Sequence, residues 1–131
     1  MSMFEDAQAS VLGAFSQTSW TDLGISTYPS NFAPGGETSE YIRVSVVLSG
    51  QGVNKNSVSG VLLVDVFTAS GDGPKRPNQI ADLLDSLLKG KTFGNVQVSA
   101  NSSLGMGEID KDNPNLFHTR YSVNLNYFGV D

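Results

Sequence analysis

The chain has 131 residues, 39% of them apolar, which suits one domain of ordinary size with one modest core. Thirteen acidic against eight basic residues give a net charge of −5, which argues against a surface built to neutralise nucleic-acid phosphates. The absence of cysteine excludes disulfides, thiolate catalysis and Cys-ligated metals.

The opening stretch, MSMFEDAQAS, has no basic n-region and no long apolar core, so no signal peptide is expected. No apolar run approaches the roughly 20 residues that span a bilayer. The expectation is a soluble, intracellular protein without membrane contact.

The first element reads as a helix. Phe4, Ala7, Val11, Leu12 and Phe15 share one face of a 3.6-residue period. Ser2 and Glu5 have capping-box spacing, and Glu5 and Asp6 suit the positive end of the helix dipole. SWTDLGISTYPSNFAPGGETSE follows, with the loop markers Pro29, Pro34, Gly35 and Gly36. Within it, Ile25 and Tyr28 are expected in a short extended piece.

YIRVSVVLS alternates, with Ile42, Val44, Val46 and Leu48 on one face and Arg43 and Ser45 on the other. After GQGVNKN, which has turn chemistry, SVSGVLLVDVFT is apolar on both faces in its middle. It is therefore expected to be central or to have its second face covered too, and to pair with the preceding strand as a hairpin.

The helix around Ile80, Leu83, Leu84, Leu87 and Leu88 has the clearest period in the chain. Pro77 sits in its first turn and Gly90 just past its end. NVQVSAN then alternates, with Val96, Val98 and Ala100 inward. TRYSVNLNYF does the same with Tyr121, Val123, Leu125 and Tyr127. SLGMGEIDKDNPNLFH, between them, has no period and reads as a long arm.

The order is α-β-β-α-β-β. It specifies an α+β domain: a mostly antiparallel sheet of four to five strands, with two helices packed on its apolar face.

Candidate chemistry is sparse. GDGPKRP, at the strand-to-helix corner, carries Gly71, Gly73, Lys75 and Arg76, but has neither Walker A nor dinucleotide-loop spacing. Pro74 and Pro77 also remove two backbone donors that a phosphate cradle would need. The hairpins do not suggest the parallel β-α-β unit that both motifs presuppose.

His118 is the only histidine, and it reads as a polar loop residue. EIDKDNPN gathers Glu108, Asp110 and Asp112, but Pro114 and Asn115 stand where an EF-hand loop needs a ligand and a glycine. Asp82 and Asp85 read as solvent-exposed. Asp65, in the most apolar strand, either lies where its face opens to solvent or pairs with a cation. That cation would be Arg43 across the hairpin, or a basic residue of another chain. No catalytic residue, cofactor or metal ligand is assigned.

Trp20, Phe32, Met106 and Phe117 are large apolar residues in predicted loops. They fold back over the sheet ends in a monomer and are natural contacts in an oligomer. With Lys75, Arg76, Glu108, Asp110 and Asp112 they form the expected subunit interface, the basic corner facing the acidic arm of a neighbour.

Nearly the whole chain resembles the tail-terminator, or tail-completion, proteins of long-tailed bacteriophages. The resemblance rests on Val66, Phe67, Gly71 and Gly73 leading into Ala81, Asp82, Leu83 and Leu84. It continues through Gly90, Thr92, Phe93, Gly94 and Val96, and ends in YSVNLNY. It implies one tail-terminator-like domain over residues 1–131 with no enzymatic activity. It also implies a ring, most often of six subunits, that caps the tail tube and joins it to the head connector in the virion. The implied partners are copies of the chain, the tail-tube protein and the connector, with DNA passing through without specific binding. The nearest alternative is a tail-tube subunit, and a more distant one is a small nucleotide- or ligand-binding domain using the glycine corner.

Overall fold

The apolar periods predict two faces to be buried, and the structure shows what buries them. The computed structural model describes residues 3–29, 40–48, 57–69, 75–105, 107–109 and 116–128. In chain order these form α1 (Met3–Ala14), α2 (Thr18–Thr21), β1 (Ser26–Pro29), β2 (Tyr41–Leu48), β3 (Ser57–Ala69), α3 (Lys75–Leu88), β4 (Thr92–Phe93), β5 (Val96–Leu104), β6 (Glu108–Ile109) and β7 (Leu116–Phe128).

The strands make one seven-stranded sheet in the order β1-β2-β3-β7-β5-β4, with β6 also paired to β7. The α+β class is as expected, but the sheet is wider than four or five strands. The additions are short segments whose sequences carry too few residues for a period to register. β1 is the extended piece expected around Tyr28, and it pairs in parallel with β2. β6 is cut from the segment read as a long arm, and continues along β7 beyond β5.

β3 and β7 form the spine. They pair antiparallel from Ser57↔Phe128 to Ala69↔Leu116. β5 also runs antiparallel to β7, so β3 and β5 run the same way with β7 between them. The passage through α3 is thus a split β-α-β crossover, a connection the hairpin pattern did not suggest. Residues 70–74, with Gly71 and Gly73, lie outside the described residues.

α1 and α3 both pack on one face, as expected. Ala7, Val11, Ala14 and Phe15 of the α1 region join Ile80, Leu84, Leu87 and Leu88 of α3. They meet Ile42, Val44, Leu62, Val64, Val66, Val96, Val98, Tyr121, Val123, Leu125 and Tyr127 of the sheet. Each fully buried leucine here contributes about 1.5–3 kcal/mol relative to exposure. Gly90, at φ +72°, ends α3 where its sequence predicts, because the left-handed region costs glycine little. Ser2 of the expected capping box lies outside the described residues.

Two tyrosines of β7 fasten the two helices by the same chemistry. Tyr127 donates its hydroxyl to Asp6 of α1 at 2.7 Å, and Asn95 donates to the same carboxylate oxygen at 3.0 Å. Tyr121 donates to Asp85 of α3 at 2.6 Å, and Ser102 donates to it at 2.7 Å. Asp85 is therefore a half-buried anchor rather than a solvated charge, whereas Asp82 is exposed as expected. These donors hold the Asp6 carboxyl below the usual carboxylate range, with the Tyr127 hydrogen bond foremost. Burial, and then the bond to Asp85, push the Tyr121 hydroxyl well above its ordinary value.

The inward alternation of β5 stops at Val98. An irregularity lies between Val98 and Ser102 in its pairing with β7, and it turns Ala100 out to solvent. Ser102 stays on the core side, now opposite Val123, and its hydroxyl reaches Asp85.

Across Leu125 from Val98, β2 passes close over Gly60 of β3. A Cβ there would lie 2.5 Å from the Val47 carbonyl oxygen, 2.8 Å from Leu48 Cδ2 and 3.2 Å from Leu48 Cα. Two of those atoms are backbone, so the strands must move apart. Gly60→Ala is expected to cost about 1–3 kcal/mol, as overpacking does. Urea unfolding of the variant measures it, and an unchanged midpoint would refute the close approach.

Candidate functional site

The helix-free face of the sheet carries the densest polar chemistry among the described residues. Strand alternation sends Arg43 of β2, Asp65 of β3, and His118 and Arg120 of β7 to this face. Pairing then sets Arg43 opposite Asp65, and Asp65 opposite Arg120. His118 stands opposite Phe67, one diagonal step from Asp65.

Asp65 is 4% exposed. Its Oδ1 accepts from His118 Nε2 at 2.9 Å and from Arg120 Nε at 2.9 Å. A carboxylate can only accept, so His118 carries its proton on Nε2 in this contact. Arg43 Nε lies 3.9 Å from Oδ2. Burial pushes the Asp65 carboxyl up, but the bonds from His118 and Arg120, and their charge, outweigh it. The carboxyl consequently sits below its ordinary value. Of the alternatives open for Asp65, its face does not open to solvent and the pairing with Arg43 is present, joined by two partners from β7. His118 is a strand residue bound to a carboxylate, not a loop residue.

An aromatic stack holds the group in place. The His118 ring lies parallel to Phe67 with centroids 4.6 Å apart, and Phe67 stacks on Tyr41 at 4.5 Å. Tyr28 of β1 meets Tyr41 edge-on at 5.7 Å. The Arg43 guanidinium lies over the Phe67 ring, 5.4 Å from its centroid. Phe67 is thus covered on both ring faces, which accounts for its burial on a side of the sheet that α1 and α3 leave bare. Tyr41, Phe67 and Leu116 form a second, smaller apolar cluster there.

Of the residues expected at a subunit interface, Trp20, Lys75, Arg76, Glu108 and Phe117 are described. Trp20 is 1% exposed and belongs to the core, in keeping with the fold-back placement, one of the two expected for it. Its ring meets Phe15 edge-on at 5.3 Å, and its Nε1 donates to Thr27 Oγ1 at 2.9 Å. The unpredicted turn α2 carries it there.

Arg76 is also committed within its own chain. Its Nε and one Nη donate to the two carboxylate oxygens of Glu40 at 2.6 and 2.8 Å. Lys75 is exposed at the start of α3, and Glu108 is exposed in β6. Phe117 is half-buried in β7, its ring against Gly107, where a Cβ would collide with it. Phe32, Met106, Asp110 and Asp112 lie outside the described residues.

A cleft of about 270 Å³ opens between α3 and the strands, lined by Asp82, Asp85, Ser102, Ser103 and Tyr121 among others. Among the described residues, no three histidine, aspartate or glutamate side chains gather so as to hold a metal ion. No helix formed by them is long and apolar enough to cross a membrane.

The arrangement of strands and helices can be set beside known proteins. It is a fold already seen elsewhere. Fifteen chains of solved structures match. One of them, whose name describes no function, has a TM-score of 0.62 and 20% identity, over 90% of this chain and 86% of its own. At that identity the likeness establishes a shared fold and nothing about activity. No protein-family model and no curated protein matches the chain.

The Asp65 group was only partly legible beforehand. A carboxylate inside the most apolar strand was the signal, and Arg43 follows from the hairpin. His118 and Arg120 lie more than fifty positions away. No local pattern connects them to Asp65.

Proposed function

We propose that this chain is a structural subunit of a bacteriophage tail, one that assembles as a ring capping the tail tube and joining it to the head connector. The observation that carries the reading is the resemblance over nearly the whole chain, from Val66 and Phe67 through α3 and Gly90–Val96 to the final strand. The order of elements agrees with it. Val66 and Phe67 close the long strand β3, Ala81–Leu84 lie in α3, and Thr92 and Phe93 form β4 ahead of β5. Gly94, at φ +57°, makes the tight turn between them.

A second support is the way the described polar groups are used. Asp6, Asp85, Glu40 and Asp65 all fasten one part of the chain to another. Such chemistry suits a rigid building block. The net charge of −5 suits a lumen through which DNA slides without being gripped. Sheet edges at β1 and β4 suit contacts between copies, which a closed ring would cover.

Electron microscopy of the purified protein, alone and mixed with tail tubes lacking their upper end, tests the reading. Closed rings, or monomers that form a single collar at the tube end, are expected. Long tubes grown from the protein alone would instead identify a tail-tube subunit, and failure to bind tube ends would overturn both.

A further inference from the structure

The chain has three arginines, and the structure uses them differently. Arg76 gives its fork to Glu40, with both of that residue's oxygens engaged. Arg120 gives Asp65 only its Nε. Among the described residues, its two Nη groups have no hydrogen-bond partner, and the side chain is 54% exposed. Arg43 also turns its Nε edge to Asp65, at 3.9 Å, with its guanidinium over Phe67 and its side chain 30% exposed. Two forks are thus held from behind, by a buried carboxylate and by an aromatic ring. Their remaining donors have no hydrogen-bond partner among the described residues.

Two guanidiniums face the one buried carboxylate, so Asp65 alone does not balance them, on a chain with net charge −5. Glu108 of β6, opposite His118, is an exposed carboxylate on the same face, and it forms no ion pair among the described residues. A guanidinium fork binds planar oxyanions through two parallel hydrogen bonds. Anchoring its Nε beforehand removes rotamer entropy that binding would otherwise cost.

We infer that Arg120 and Arg43, braced by Asp65 and Phe67, form a docking site for side-chain carboxylates of an acidic protein segment. A carboxylate partner fits better than a nucleic acid. Phosphate-backbone binding draws on many cations, whereas this patch offers two, on an acidic chain and beside Glu108. The inference does not depend on the tail-terminator reading, because it concerns one face of one subunit.

The test follows the arginine Nε–H signals of the full chain by ¹⁵N NMR. The chain is titrated separately with a hexaglutamate peptide, inorganic phosphate and a short DNA duplex. Saturable shifts of the Arg120 and Arg43 signals with the peptide are expected, fading as salt is raised. Affinity should fall roughly tenfold in Arg120→Gln. Arg120→Lys keeps a charge opposite Asp65 but deletes the fork, and it should also bind more weakly. If the glutamine variant does not fold, the lysine variant and the wild-type titration decide the matter. No shift with the peptide, equal affinity in either folded variant, or tighter binding of phosphate or DNA than of peptide would overturn the site.

Discussion

Asp65→Ala is expected to lower the stability of the folded chain by about 3 kcal/mol, measured by urea unfolding at neutral pH. Removing one member of a buried ion pair costs roughly 3–5 kcal/mol, because the partner charge is left uncompensated. The low end applies here because Arg120 is half exposed and water can solvate part of its charge. His118 would lose its acceptor, and Arg43 would keep only its place over Phe67. A loss below about 1 kcal/mol, the scale of a surface ion pair, would contradict the geometry described.

The same carboxylate has a pH signature with a definite sign. Its folded pKa lies below the unfolded value of about 3.9. Its ionic contribution is therefore fully present above that unfolded value, and it is lost as pH falls through the folded one. Wild-type stability should decline on acidification below about pH 4–5, and Asp65→Asn should flatten that decline. The decline will not vanish, because Asp6 is shifted the same way by Tyr127 and Asn95. An acid profile in the asparagine variant as steep as wild type would refute the assignment.

Trp20→Ala is expected to cost about 3–5 kcal/mol, the range for emptying a large aromatic site in a core. The indole is 1% exposed, sits edge-on to Phe15, and donates to Thr27 on the edge strand β1. Its loss should therefore loosen the α1–β1 side of the molecule as well as leave a cavity. The decisive reading is the unfolding midpoint of the isolated subunit. If Trp20 were a subunit contact, that midpoint would hold and only assembly would suffer. Trp20→Phe should fall between the two, keeping most of the packing and losing the Nε1 donor.

What the sequence determines by itself is the set of elements whose period is local. The leucine spacing of α3 places Ile80, Leu84, Leu87 and Leu88 on one face, and the structure buries them together. Alternation separates Val44 from Arg43 and Val64 from Asp65, and the pairing of β2 with β3 keeps them on opposite faces. The α+β class and the common placement of two helices on one side follow from those patterns alone, because hydrophobic faces of these elements have to be covered.

Tertiary structure decides what depends on pairing between distant segments. A two-residue strand such as β4 or β6 has no period to read and exists only because a longer strand lies beside it. The irregularity in β5 leaves Ala100 exposed and sets Ser102 opposite Val123, neither of which simple alternation foresees. Trp20 and Arg76 find Thr27 and Glu40 only when chain packing brings those residues beside them. Asp65 finds Arg120 and His118 because β7 inserts between β3 and β5. That insertion is a choice of topology, and its energy comes from contacts across the whole chain. It therefore leaves no trace in the spacing of neighbouring residues.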